Sequence, residues 1–283
     1  MPFTGRGRIW LGLAVVVPGL WASFPSRAEE SEILPRAVLF DPLVADPRWA
    51  HFSAAWHRYG GDQQLDNVGT VSMGEDFSLY QEPAARGRWG IGLQAGVFAI
   101  FDLDAASSDL INADYWVGIP VSWREGPWQA RGRLFHQSSH LGDEFLLRVR
   151  PDRVNLSYEG VDFKVSRYLD GESLRLYGGA GYLVHRIPSD IDPWSLQVGA
   201  EFRAPWTMAG GFLRPVAAID AQSSQESGWQ VDLSTRIGVE VEAERDRDYR
   251  VLVTLEYFSG RNPNGQFFRD AVDYWGIGVH TFF

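Results

Sequence analysis

The chain has 283 residues, 45% of them hydrophobic and 14% aromatic, with a formal charge of −10 and no cysteine. The missing cysteine excludes disulfides, thiolate chemistry and lipid attachment at an N-terminal cysteine, and the acidic balance, without a long Lys/Arg run, argues against nucleic acid as a partner. A mean hydropathy of −0.19 argues against a helical membrane protein but suits a β-barrel, in which only alternate residues face lipid.

The N-terminus reads as a secretory signal over residues 1–28. Arg6 and Arg8 give a positive start, Ile9 to Trp21 is apolar, and Ser26-Arg27-Ala28 offers small residues for cleavage after Ala28. The apolar run is short for a membrane span, which needs about 20 residues. Removing the three arginines of this segment leaves a mature charge of about −13. Residues 29–50 contain Pro35, Pro42 and Pro47 and no sustained periodicity. They are expected as a periplasmic arm leading into a barrel over residues 51–283.

From His51 onward the dominant signal is alternation. Trp89, Ile91, Leu93, Ala95, Val97, Ala99 and Phe101 fall on one side of a strand, with Gly90, Gly92, Gln94, Gly96 and Asp102 on the other. The same two-faced pattern returns at Tyr115–Trp123, Trp194–Phe202, Trp229–Val241 and Val251–Tyr257. Rings sit at the ends of the apolar faces, and the segments run to roughly 10–14 residues, which suits tilted membrane strands better than sandwich strands. About twelve strands are expected. They begin near Phe52, Val68, Trp89, Ala113, Trp128, Val154, Ser173, Trp194, Phe212, Trp229, Arg250 and Tyr274. The sixth changes parity around Gly160, which predicts a β-bulge. Tight turns at Arg124–Pro127 and Leu169–Glu172 alternate with longer connectors at Asp102–Asn112, Ser139–Asp152 and Ser259–Arg269, as periplasmic turns and extracellular loops do. The fold expected is an all-β, transmembrane, antiparallel up-and-down barrel, monomeric and set among outer-membrane lipids. Its last strand, with Trp275, Ile277, Val279 and Phe283 on one face, resembles the terminal signal read by the barrel-assembly machinery.

The polar faces predict a lumen carrying Glu201, Arg203, Arg214, Asp220, Asp232, Arg236, Glu240, Arg250 and Glu256. Such charges must pair or hydrate, so they either brace the wall or line a narrow pore. The sharpest local motif is Phe135-His136-Gln137-Ser138-Ser139-His140, at the outer end of the fifth strand. Parity puts Trp128, Ala130, Gly132, Leu134, His136 and Ser138 toward lipid, so a general base and a hydroxyl share one face. This His-x-Ser element is similar to that of outer-membrane phospholipases and lipid A deacylases, which are barrels with catalytic His and Ser on the outer surface. The resemblance implies His136 as base and Ser138 as nucleophile. Glu144 is the candidate acid from the following loop, although Val154, Leu156 and Tyr158 are expected to fill the lipid-facing positions of the next strand. No metal site is expected, because His136 and His140 would stand about 13 Å apart on a strand. Asp143 and Glu144 could offer oxygens to calcium, a property shared by many acidic surface loops. His51, His57, His185 and His280 are scattered and expected to be structural.

Several stretches together resemble a bacterial family of proteins of unknown function, DUF1207. They are Asp46-Pro47-Arg48-Trp49 with His51-Phe52-Ser53, Gly92 to Asp102, and Ser108 to Tyr115. His136 to Phe145, Asn155 to Gly160 and Leu176 to Gly179 complete the set. The resemblance implies a shared domain without an established activity. The leading expectation at this level is a narrow polar pore or structural barrel, with an outer-leaflet lipid esterase or deacylase using His136 and Ser138 as the alternative.

Overall fold

The computed structural model describes residues 30–60, 65–151, 153–242 and 249–283, so the expected signal segment lies outside the described residues. A two-residue strand, β1 (Glu32–Ile33), precedes twelve long ones: β2 (Phe52–Gly60), β3 (Asn67–Pro83), β4 (Arg88–Asp102), β5 (Asp109–Glu125), β6 (Trp128–Leu141), β7 (Ser157–Leu169), β8 (Leu174–Ile187), β9 (Trp194–Arg203), β10 (Leu213–Ser224), β11 (Val231–Val241), β12 (Arg250–Arg261) and β13 (Ala271–Phe282). Each long strand pairs antiparallel with its sequence neighbours, and β13 pairs back onto β2 with Gly276 opposite His57. The ring is therefore closed, leaving no long strand with an unpaired edge. β1 pairs separately with β3 near the end of the barrel that holds the tight turns. One such turn uses Gly126 at φ 52°, a conformation that costs glycine little.

The hydropathy of the wall is reversed relative to a soluble protein. Val117, Ile119, Leu134, Phe163, Val198, Ile237, Leu255 and Ile277 are exposed, while Gln94, Gln129, Arg131, Arg175, Asp220 and Glu256 are buried. Apolar side chains facing outward and polar ones inward are what a membrane-spanning barrel requires. The chain is a closed, twelve-stranded, transmembrane antiparallel β-barrel. The expected strand starts lie within a few residues of those observed.

The segment expected as a periplasmic arm instead folds into the lumen. Phe40, Leu43, Ala45 and Trp49 are essentially inaccessible to solvent, and their neighbours come from walls all around the ring. Arg175 donates to the carbonyls of Asp41 and Pro42, both within 3 Å. Arg236 donates to the carbonyl of Val44 at 2.5 Å, and the Val44 amide donates to Glu201 at 2.6 Å. Arg48 reaches Asp114 at 2.8 Å, and Arg131 lies over the Trp49 ring. A chain without regular structure cannot satisfy its own amides and carbonyls, and the inward charges of the barrel supply the missing partners. The segment turns back at Asp46–Trp49 and so plugs the half of the lumen nearest the chain termini.

At the opposite end a short helix, α1 (Asp143–Val149), folds across the mouth. Its Phe145 is buried against Val68, Ile100, Ile111 and Phe258, and Arg148 clamps Asp102 and Asp109.

Candidate functional site on the outer wall

β6 is oriented by what it buries. Phe135 points inward and stacks on Trp116 with ring centroids 4.5 Å apart, and Arg133 lies over the same Trp116 ring. With residues 133 and 135 committed to the lumen, the period of two sends His136, Ser138 and His140 outward. His136 stands opposite Val117 on β5 and Glu159 on β7; Ser138 stands opposite Tyr115 and Ser157.

The acid beside His136 is Glu159. Its Oε1 lies 2.7 Å from Nδ1 of His136, and its Oε2 lies 2.7 Å from Nδ1 of His185 on β8. Parity on β7 explains why sequence pattern missed it. Tyr158 was expected to face lipid but points inward, edge-on to Phe135, and Leu156 is also buried. A register shift does occur at Glu159/Gly160, but the extra residue is Val184 on β8, so β7 keeps one face outward through Glu159, Val161 and Phe163. The bulge was expected on β7 itself.

The carboxylate holds Nδ1 of His136 and leaves Nε2 as the free ring nitrogen. Ser138 lies two residues farther along the same face, about 7 Å away between Cα atoms. The described hydrogen bonds include none between the two side chains. A shallow groove of about 340 Å³ on the outer wall ends at His136, and Met73, Ala95, Val97, Tyr115 and Val117 line it. The narrow side chain of Ala95 makes the depression between larger neighbours.

Glu144 is elsewhere. It sits exposed in the first turn of α1, over the barrel mouth, beside an equally exposed Asp143. Among the described residues no group of three or more His, Cys, Asp or Glu is arranged to hold a metal ion.

The expected lumen charges all belong to inward-facing positions, and most are ion-paired. Glu240 takes bonds from both Arg203 and Arg250, and Glu242 from Arg203 and Arg214. Glu201 pairs with Arg175 at 3.2 Å. Arg236 pairs with Glu256, which also bonds His57 at 2.7 Å and His280 at 2.5 Å. Asp232 accepts the Arg261 amide, and Asp220 is bonded only by neutral donors. His51 extends the Glu256 cluster, with Nε2 2.9 Å from Nδ1 of His280 and Nδ1 on the Trp49 carbonyl. Three histidines that are unconnected in sequence are thus neighbours in the lumen.

Two titrating groups sit on the plug itself. Burial raises the Asp41 carboxyl, but Arg124 and Arg175, with hydrogen bonds from Gln129 and Tyr168, outweigh it and hold the group below its usual range. Burial, followed by the charges of Arg236 and His280, holds the His51 imidazole well below its ordinary value.

Residues 26–283 match the family model described as protein of unknown function DUF1207. The chain belongs to the DUF1207 family. Comparison with curated proteins gives no match. Among solved structures, this DUF1207 barrel is similar to outer membrane phospholipase A from Escherichia coli, with a TM-score of 0.54 and 11% identity over 87% of this chain and 94% of that one. It is similar in the same degree, TM-score 0.54 and 11% identity, to a calcium-bound dimer of the Salmonella typhi outer membrane phospholipase, over 82% of this chain and 90% of the other. The β domain of a Bordetella autotransporter also matches, with a TM-score of 0.43 and 15% identity over 82% and 96% of the two chains. At these identities the likeness establishes the outer-membrane barrel fold alone.

Proposed function

We propose that this protein is an outer-membrane enzyme that cleaves acyl esters of lipids in the outer leaflet, with Ser138 as nucleophile, His136 as general base and Glu159 as the group that orients and charges the imidazole. The observation that carries this reading is the 2.7 Å contact between Glu159 and Nδ1 of His136 on the lipid-facing wall. An acidic residue and an imidazole there are costly, and adjacent outward positions are filled by Val117 and Val161 as barrel stability alone would favour. A carboxylate on one ring nitrogen leaves the other to take a proton from a hydroxyl, and it stabilises the imidazolium that results.

In the proposed reaction the Nε2 atom accepts the Ser138 proton as Oγ adds to the ester carbonyl. The imidazolium returns that proton to the leaving alkoxide, giving an acyl-serine that water hydrolyses by the same relay. The Ser138 hydroxyl must close on Nε2 for this transfer, and such contacts commonly tighten when substrate binds. The groove of Met73, Val97 and Val117 offers an acyl chain an apolar track that ends at His136. The pore reading is less supported, because the plug is bonded inside the lumen and most of the expected lumen charges are ion-paired. Assembly through the C-terminal strand ending at Phe283, cleavage after Ala28 and a monomeric state belong to the same proposal.

A serine-directed fluorophosphonate tests the reading. Refolded protein in detergent should acquire one adduct, mapped by peptide mass spectrometry to Ser138, and Ser138→Ala should lose it while Ser157→Ala, the neighbour on the same face, keeps it. Folded protein that takes no adduct, or takes it elsewhere, contradicts the assignment.

A further inference from the structure

Above the plug, beneath the loops at the far end, the lumen opens into a vestibule of about 560 Å³. Its existence follows from register. Reading inward positions across the wall, one row runs Arg133, Asp162, Gly181, Ser195, Ser224, and the row below runs Arg131, Lys164, Gly179, Gln197, Gln222. Large charged side chains occupy β6 and β7, while in the upper row β8, β9 and β10 contribute only glycine and serine. The void is the space those small residues leave, and its volume falls within the range of small-molecule sites.

The charge within it is divided. The floor holds two buried carboxylates, Asp46 from the plug apex and Asp220 from β10. Two amides bridge them. Gln197 donates to Asp46 at 3.1 Å and Asp220 at 2.7 Å, and Gln222 donates to the same pair at 3.3 and 2.8 Å. Tyr177 and the Arg48 amide complete the set, so every described donor to these acids is neutral. On β6 and β7 the imbalance is opposite. Arg133 and Lys164 share the single carboxylate of Asp162, and the buried Lys164 ammonium has no other described bond for its remaining hydrogens. Buried charge left without an opposite partner is expensive, and the floor and the wall each lack one.

We propose that the vestibule is a binding site for a small zwitterion, its ammonium seated between Asp46 and Asp220 and its anionic group against Lys164. A lone cation satisfies only the floor, and a lone anion only the wall. Lys164 and Gln197 are two strands apart, about 10 Å around the wall, a span that one small molecule bridges from side chain to side chain. The ordered plug is part of the site, since it supplies Asp46. This site is separate from the outer-wall serine and stands or falls independently of it.

Isothermal titration of the refolded full chain tests the proposal with two zwitterions, glycylglycine for a free solute and glycerophosphoethanolamine for a lipid headgroup. Ethanolamine and acetate are the single-charge controls. Saturable binding of either zwitterion is expected, with both controls at least about tenfold weaker, the loss that follows from one missing charged hydrogen bond. Asp46→Asn and Lys164→Gln should each weaken it similarly, and which zwitterion binds identifies the source. Lys164 has no described hydrogen bond or ion pair to the plug, so its variant is informative even where Asp46→Asn loosens the segment; unchanged circular dichroism and gel mobility verify the fold. No saturable binding of either zwitterion, equal binding of a control, or an unaffected Lys164→Gln variant overturns the proposal.

Discussion

Replacing Asp41 by alanine should release the plug while leaving the barrel closed. The carboxylate accepts from the Tyr168 hydroxyl and the Gln129 amide, each at 2.7 Å, and from Arg124 at 3.3 Å. Truncation leaves the first two donors without an acceptor and removes one of the two carboxylates near Arg175, which keeps Glu201. At roughly 1.5–3 kcal/mol for each hydrogen bond to a charged group, and counting nothing for the more exposed Arg124, the docked segment loses about 3–6 kcal/mol. Every 1.4 kcal/mol is about tenfold in an opening equilibrium, so 3 kcal/mol raises the open population by about two orders of magnitude. The absence of native cysteine makes the assay clean. Ala45 is fully buried in the plug, and Ala45→Cys places a single thiol there. Its maleimide labelling reports opening when reclosing is fast. Labelling should be strongly suppressed in the otherwise native chain and accelerated by two orders of magnitude, more or less, in Asp41→Ala. An unchanged labelling rate would refute the view that Asp41 anchors the segment.

Acid should loosen the same segment from above. The His51 imidazole is held below its ordinary value, so the opened state takes up the proton first; docking is fully stable above about 6.5 and weakens as pH falls below it. The Asp41 carboxyl is depressed, so its share is present above its ordinary value and is lost only as pH falls through the folded value, a second and more acidic stage. Labelling of Ala45→Cys at stepped pH, normalised to a free thiol, should show the upper stage, and His51→Gln should abolish it. On the wall, Gly160→Ala should lower stability by about 1–3 kcal/mol through overpacking. The added methyl would meet the Phe135 ring at 2.6 Å, whereas Gly132→Ala finds nothing nearer than 3.9 Å and should be silent in urea unfolding of the refolded barrel.

The barrel was legible because a lipid-facing strand writes its environment into a period of two. Trp194, Leu196 and Val198 can face only one medium, and no tertiary knowledge is needed to see it. The tight turn at Gly126 was equally plain. Parity failed at Tyr158, where an aromatic ring looked lipid-facing but packs under Phe135, and the bulge lay on the partner strand at Val184. That one displacement hid Glu159, which no spacing in the sequence links to His136; only the β6–β7 register does. The plug was unreadable for a different reason. Leu39 to Ala50 has neither strand nor helix period, and what orders it is an array of inward arginines contributed by distant strands. The His51, His57 and His280 cluster shares this cause, since closure of β13 on β2 creates it. Glu144 attracted attention through proximity in sequence, yet α1 carries it over the mouth, away from the outer wall.

Fatty acid release from vesicles containing phosphatidylethanolamine and lipopolysaccharide, measured side by side for the refolded wild type, Glu159→Gln and Glu144→Gln, tests the catalytic assignment most directly. Wild type and Glu144→Gln should release fatty acid at equal rates. Glu159→Gln should be slower by orders of magnitude, up to about 10⁴-fold, because the amide fixes the imidazole without charging it. Equal rates in wild type and Glu159→Gln, or no release by a folded wild type on either lipid, would contradict the account.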